Sequence, residues 1–182
     1  MINYSSTRIC RICSSELDFL FCLPNMPKAA QNFPEREGLL FDKGEDLDVC
    51  QCLKCGTVQL GNAPVSYFRE VIRSSAFSEE MKEFRENQFK ELVESFELGN
   101  SNVVEVGCGR GEYLSLLNSA GTRAYGIEYN EDSVSECRRN GLLVDKGYID
   151  SEYYRIPGGP FDAFFILNFF EHLPDPNSVL GA

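Results

Sequence analysis

Several things are scarce in this chain of 182 residues, and each scarcity excludes something. Positive charge is short: 17 Lys and Arg stand against 28 Asp and Glu, and the net charge is −11 with no basic cluster anywhere. A nucleic-acid partner, whose phosphates need a basic footprint, is thereby excluded. Long apolar runs are missing, and nothing approaches the ~20 residues that cross a bilayer, so no membrane insertion is expected. The first residues, Met1-Ile2-Asn3-Tyr4-Ser5, lack the basic and apolar regions of a secretory signal. The expected compartment is the cytoplasm, where the eight cysteines stay reduced. There are no internal repeats and no low-complexity tracts, and histidine occurs once, at His172. Apolar content is not scarce: 43% hydrophobic and 12% aromatic residues suffice for a packed core.

Reduced cysteines call for an explanation other than disulfides. Cys10-x-x-Cys13 and Cys52-x-x-Cys55 form two matched pairs. Each pair suits a tight turn whose amides point at both sulfurs, and two such knuckles supply four thiolates for a closed tetrahedral zinc site. Cys50 makes the second register ambiguous, but Cys52 restores the two-residue spacing and leads into Cys55-Gly56. Four thiolates without His leave no open position for water, so the metal is expected to be structural. A segment rich in prolines, with Pro24, Pro27, Pro34 and Pro64, buries little core alone. Zinc binding, apparently ~10–16 kcal/mol in small peptides, would order it. Cys22, Cys50, Cys108 and Cys137 are then ordinary buried or partly buried thiols.

The most informative stretch is Val103-Val104-Glu105-Val106-Gly107-Cys108-Gly109-Arg110-Gly111. It reads as a buried strand running into a glycine turn that opens a helix from Glu112. Glycines at alternate positions let the backbone bend sharply and approach a ligand closely. A dinucleotide fingerprint would read G-x-G-x-x-G and seat a pyrophosphate on the helix N-terminus. Here the pattern is G-x-G-x-G, and Glu105 would repel a pyrophosphate. A carboxylate suits a ligand carrying an ammonium and a sulfonium, and S-adenosylmethionine carries both. Glu128 closes the next expected strand, Arg123 to Ile127, and lies 21 positions after Gly107. An acid at that tip can accept hydrogen bonds from both ribose hydroxyls.

These residues, together with Phe161-Asp162-Ala163 and the following Glu171-His172-Leu173-Pro174-Asp175, resemble the class I S-adenosylmethionine-dependent methyltransferases. The resemblance implies an α/β fold with a Rossmann-like, doubly wound parallel sheet. It places Glu105, Gly107, Gly109, Gly111, Glu128 and Asn168 at the cofactor. With the cysteine pairs upstream, the chain is similar to C-methyltransferases acting on nucleotide-linked deoxysugars. Cys52-x-x-Cys55-Gly56-Thr57-Val58-Gln59-Leu60, Pro24 to Phe33 and Arg73-Ser74-Ser75 carry that second likeness. Two features of that family lack a match: a tyrosine before the Ser-Ser segment, where Glu70 and Ile72 stand, and a later Tyr-x-Glu-His motif.

The expected organisation is a zinc-binding domain at 1–66, a connector and amphipathic helix at 67–101, and a truncated cofactor-binding domain at 102–182. Ser78 caps the helix, which runs to about Leu98. Its Phe89, Leu92, Val93 and Phe96 fall on one face. Asn130 caps a second helix, Leu142 to Val144 reads as the third strand, and Phe161 to Asn168 as the fourth. The exit of the third strand, Asp145 to Tyr148, is where such folds contact adenine. Only four strands are legible, so the chain is expected to be a piece of a longer protein.

The chemistry implied is abstraction of an acidic C–H beside a carbonyl, then attack of the carbon on the sulfonium methyl. The base needs a pKa near neutral, which suits His172, and stabilising the enolate or binding the nucleotide phosphates are the other roles open to it. Two other readings stand beside this one. One is an O- or N-methyltransferase of a small metabolite, and the other a non-catalytic zinc- and cofactor-binding protein.

Overall fold

A computed structural model describes residues 8–27, 35–64, 78–149 and 151–181. The chain divides into two compact units, Met1–Ile72 with Pro174–Asn177, and Arg73–Leu173 with Ser178–Ala182. The connector at Arg73-Ser74-Ser75 and most of the proline segment lie outside the described residues.

The first unit is built on an antiparallel sheet of three strands, β1 (Leu17–Met26), β2 (Glu45–Cys52) and β3 (Val58–Leu60), in the order β1-β2-β3. Turn-rich composition gives no hint of a ten-residue strand. Pro24 sits inside β1, which is tolerated because β1 is an edge strand whose other side need not donate. The pairing of β1 with β2 slips between Phe19 and Phe21 and between Leu23 and Met26.

The second unit is α/β. Its parallel strands β4 (Asn102–Val106), β5 (Arg123–Glu128), β6 (Leu143–Lys146) and β7 (Ala163–Phe165) lie in the order β6-β5-β4-β7. The order reverses between β4 and β7, the hallmark of a doubly wound sheet and the place where such folds bind ligands. Along β4 the side chains alternate. Val103 joins one core with Phe89, Leu114, Leu117, Val134 and Cys137, while Val104 and Val106 join another with Ile127, Ile149, Leu173 and Val179. The first core is covered by α1 (Glu79–Ser95), α2 (Glu112–Ser119) and α3 (Glu131–Arg139). A short helix, α4 (Pro176–Leu180), brings Val179 to the second.

Local chemistry explains the element ends. The Ser78 hydroxyl accepts from the Met81 amide at 3.1 Å, and Asn130 accepts from Ser133 at 3.0 Å, each capping its helix. On α1, Phe89 and Val93 are buried as the periodicity predicts, and the Phe89 ring meets Tyr113 edge-on at 6.1 Å. Phe96 departs from the expectation. It ends the helix and is 70% exposed. The fourth parallel strand is shorter than Phe161 to Asn168, because its ladder with β4 runs only from Val103↔Ala163 to Glu105↔Phe165. Asp162 fixes that register. Its carboxylate accepts from the Asn102 amide at 2.9 Å, and its own amide donates to the Asn102 carbonyl at 2.7 Å.

Candidate cofactor and metal sites

The glycine turn leaves the carboxyl end of β4, beside the point where strand order reverses. Gly107, Gly109 and Gly111 have φ of +75°, +56° and +84°, the left-handed region that side chains disfavour. The turn is pinned by the Gly107 amide, which donates to the Ile127 carbonyl at 2.8 Å. A Cβ on Gly111 would stand 2.3 Å from Leu142 Cδ1 and 3.0 Å from Cys137 Sγ. Gly111 thus lets the start of α2 pack closely against α3 and the turn after it.

Glu105 is 1% exposed, and its Oε2 has no hydrogen-bond partner within the protein. Burial pushes its carboxyl up to about 8, and Glu112, Cys137 and Glu128 push the same way. A carboxylate so placed is satisfied by a cation or a donor brought from outside. Glu128, at the tip of β5, is held by two backbone amides. Its Oε2 accepts from the Gly109 amide at 2.9 Å and its Oε1 from the Asn130 amide at 2.8 Å. It therefore ties the glycine turn to the cap of α3, while lone pairs on both oxygens remain for further donors. Just beyond the tips of β5 and β6, the rings of Tyr129 and Tyr148 meet edge-on at 6.0 Å. Tyr129 directly follows the acid, a signal that sequence reading passed over.

The segment after β7 approaches the same turn. Phe169 lies against Gly107, where an added Cβ would be 3.0 Å from the ring. Asn168, beside it, is exposed with a φ of +56°. His172 ends a single 3₁₀ turn, Phe170–His172, is about one-third exposed, and has its Nε2 3.9 Å from Glu171. Glu105, Gly107, Gly109, Gly111 and Glu128 thus lie at or beside one glycine turn. Asn168 and His172 belong to the loop at its rim.

In the first unit the four cysteines of the matched pairs converge, with all Sγ atoms within 4.8 Å of one another. Cys10 and Cys55 sulfurs are 3.7 Å apart, and those of Cys13 and Cys52 3.4 Å. A tetrahedral ion with Zn–S bonds of about 2.3 Å sets its sulfurs about 3.8 Å apart, so the donor set fits zinc. The two knuckles are built alike. In the first, the Ser14 amide donates to the Cys10 carbonyl at 3.0 Å and Cys10 to Ser15 at 2.8 Å. In the second, Gly56 donates to Cys52 at 2.8 Å and Cys52 to Thr57 at 3.0 Å. Cys50, the competing candidate, is fully buried but stands outside the cluster, its sulfur 3.5 Å from the Arg8 guanidinium. Hydrogen bonds from Ser15 hold the Cys13 thiol down at about 6, which favours the thiolate. Sequence reading missed Gln59, whose amide reaches the Cys10 sulfur at 3.2 Å from β3.

No helix among the described residues is long and apolar enough to cross a membrane. The chain is 37% identical over 90 residues to a ubiquinone biosynthesis O-methyltransferase of Methylococcus capsulatus, covering 47% of this chain and 38% of that protein. It is 30% identical over 114 residues to the protein of the same name from Stutzerimonas stutzeri, covering 54% of this chain and 49% of the other. The chain therefore spans less than half the length of these curated relatives. Among solved structures it is similar to a magnesium protoporphyrin IX methyltransferase of Synechocystis PCC 6803 with bound S-adenosylmethionine, at 20% identity and a TM-score of 0.43, covering 62% of this chain and 54% of that one. A family model described as "Methionine biosynthesis protein MetW" matches residues 86–182, more than half of the chain, and the chain belongs to that family.

Proposed function

We propose that this chain binds S-adenosylmethionine on the glycine turn and transfers its methyl group to a small-molecule acceptor, while Cys10, Cys13, Cys52 and Cys55 hold a structural zinc ion. The observation that carries the first part is the orphaned, buried carboxylate of Glu105 beneath a turn at the switch point of the sheet. A cationic, phosphate-free ligand answers its missing partner and favours its ionised form against the burial that raises it. The names of the curated relatives support the same activity.

When bound, the cofactor supplies an electrophilic methyl on a sulfonium. The chain's residues do the rest. Glu105 balances the ligand's positive charge from below, and Glu128 offers its free lone pairs to the ribose hydroxyls while holding Gly109 in place. Tyr129 and Tyr148 give the adenine an aromatic wall. Asn168 and His172 stand where an acceptor would enter.

For the acceptor, we favour a nucleotide-linked 4-keto sugar methylated at carbon, with His172 removing the proton beside the carbonyl. The cysteine knuckles ahead of the α/β unit, Gln59 and Leu60 included, support this reading. O-methylation of another small metabolite is the second reading, favoured by the O-methyltransferase relatives. Both place the protein in the cytoplasm. Incubating the full-length protein with cofactor and a nucleotide-linked 4-keto sugar separates them. A new carbon-bound methyl is expected, with turnover lost in H172Q. Turnover of a hydroxylated acceptor alone moves the assignment to O-methylation. Calorimetry with S-adenosylhomocysteine tests the cofactor itself, and absence of binding in folded protein refutes it.

A further inference from the structure

Gln59 sits in the middle of β3, opposite Cys50 on β2, and is not one of the four sulfur donors. Its side chain nonetheless spans from that strand to the first knuckle. The Arg11 amide donates to Gln59 Oε1 at 3.1 Å, and Gln59 Nε2 lies 3.2 Å from Cys10 Sγ. The orientation of this amide is not arbitrary. A backbone N–H can only donate, so Arg11 must face the carbonyl oxygen of Gln59. That leaves the NH₂ group facing sulfur, and an NH₂ group can only donate. Cys10 must therefore accept, as a metal-bound thiolate does and a protonated thiol does poorly. The Ile12 amide points at the same sulfur at 3.4 Å, so two N–H donors converge on one buried atom.

We propose that Gln59 is the positioning residue of the metal centre: its amide ties the first knuckle to β3 and holds Cys10 as a thiolate ligand, and so governs how fast the metal is lost. The proposal rests on the zinc reading above. Partners of this kind, hydrogen-bonded to a ligand from behind, typically account for 10–100-fold in metal affinity. Neither neighbour in size can replace it. Asn is one methylene short of the sulfur, and Glu keeps the bond to Arg11 but sets a carboxylate against a thiolate.

The test uses the full chain loaded with zinc, with metal release followed by a chromogenic chelator. Q59E and Q59L should release zinc about 10–100-fold faster than wild type, while K54A, on the exposed tip of the second knuckle, releases it at the wild-type rate. Q59E is the discriminating variant, because it preserves size and the Arg11 bond. If Gln59 only packs, Q59E behaves as wild type, and that overturns the proposal even if Q59L fails to fold. With cobalt in place of zinc, the thiolate-to-metal charge-transfer band should shift in Q59E and stay fixed in K54A. A wild-type chain that binds no zinc overturns the zinc reading and this inference together. A zinc-holding wild type with unchanged release in Q59E overturns this inference alone.

Discussion

Gly107 and Phe169 are in direct contact across the point where the sheet reverses its strand order. A methyl added to Gly107 would stand 3.0 Å from both Cγ and Cδ1 of the Phe169 ring. The glycine turn after β4 and the loop after β7 thus share one surface. Gly107 also holds a φ of +75°. G107A combines a left-handed alanine, costing roughly 1–2 kcal/mol, with displacement of the Phe169 ring. The expected result is a weakening of S-adenosylhomocysteine binding by at least ~10-fold in calorimetry, equivalent to about 1.4 kcal/mol. Binding within twofold of wild type would show that the turn does not touch the ligand.

Why the glycine turn is legible in the sequence and the sheet of the first unit is not follows from how far each signal reaches along the chain. The turn, Glu105 and Glu128 are specified locally: a strand, alternate glycines and an acid at the next strand tip. The four cysteines were legible for the same reason, since each pair is a local turn. The sheet that brings the pairs together was not. Its strand β1 contains Pro24 and two register shifts, so no clean alternation survives. Gln59 carries no local signal, because its contact with the Cys10 sulfur spans 49 positions. The length of β7 was overestimated because the apolar run continues past Phe165, where its partner β4 gives way to the glycine turn. The bonds of Glu128 to Gly109 and Asn130 give no sequence signal, since they exist only in the folded turn.

Burial of Glu105 makes a pH prediction with a defined sign. Its carboxyl is pushed from 4.5 up to about 8 in the folded protein. Between those values the native state keeps a proton that the unfolded chain releases. The contribution is therefore fully present below pH ~4.5 and is lost as pH rises toward 8. The shift corresponds to at most about 5 kcal/mol, on the scale of 1.36 kcal/mol per unit. Cofactor-free wild type should lose more stability than E105Q when urea unfolding is compared at pH 5 and pH 9. Gln is neutral throughout, so its curve lacks that component. Parallel curves for the two proteins would mean that Glu105 is solvated in the free state.

The likeness of the two knuckles makes Ser14 a test of strain. Ser14 and Gly56 occupy equivalent positions, four residues after Cys10 and Cys52, and have φ of +57° and +78°. Nature uses glycine in one and a strained serine in the other. S14G relieves roughly 1–2 kcal/mol of left-handed strain and gives back roughly 0.5–1 kcal/mol in unfolded-chain entropy. The zinc-loaded protein should gain up to about 1.5 kcal/mol in thermal or chemical unfolding of the first unit. The reverse exchange, G56S, should lose a similar amount. A destabilised S14G would mean that the serine side chain stabilises the first knuckle by more than the strain it carries.

Zinc removal should separate the two units by function. The residues assigned to the cofactor and both apolar cores described for the α/β unit come from Phe89 onward. The first unit has a different composition of strength. Among the described residues of Met1–Ile72, the buried apolar side chains are three cysteines, Cys10, Cys50 and Cys52, two of them in the four-cysteine cluster. Meanwhile Phe19, Leu20, Phe21 and Leu23 of β1 are each 39–50% exposed. Such a sheet shows little apolar burial among its described residues to oppose the entropy of ordering its backbone, and under the zinc proposal the metal supplies the difference. Stripping zinc with a strong chelator should therefore abolish protection of the β1 and β2 amides in hydrogen exchange. Amides of β4 and β5 should keep their protection, and S-adenosylhomocysteine should bind within about threefold of its original affinity. C13S should reproduce the chelated state without a chelator present. If β1 and β2 stay protected after metal loss, the sheet is self-sufficient and the cysteine cluster has some role other than holding it together.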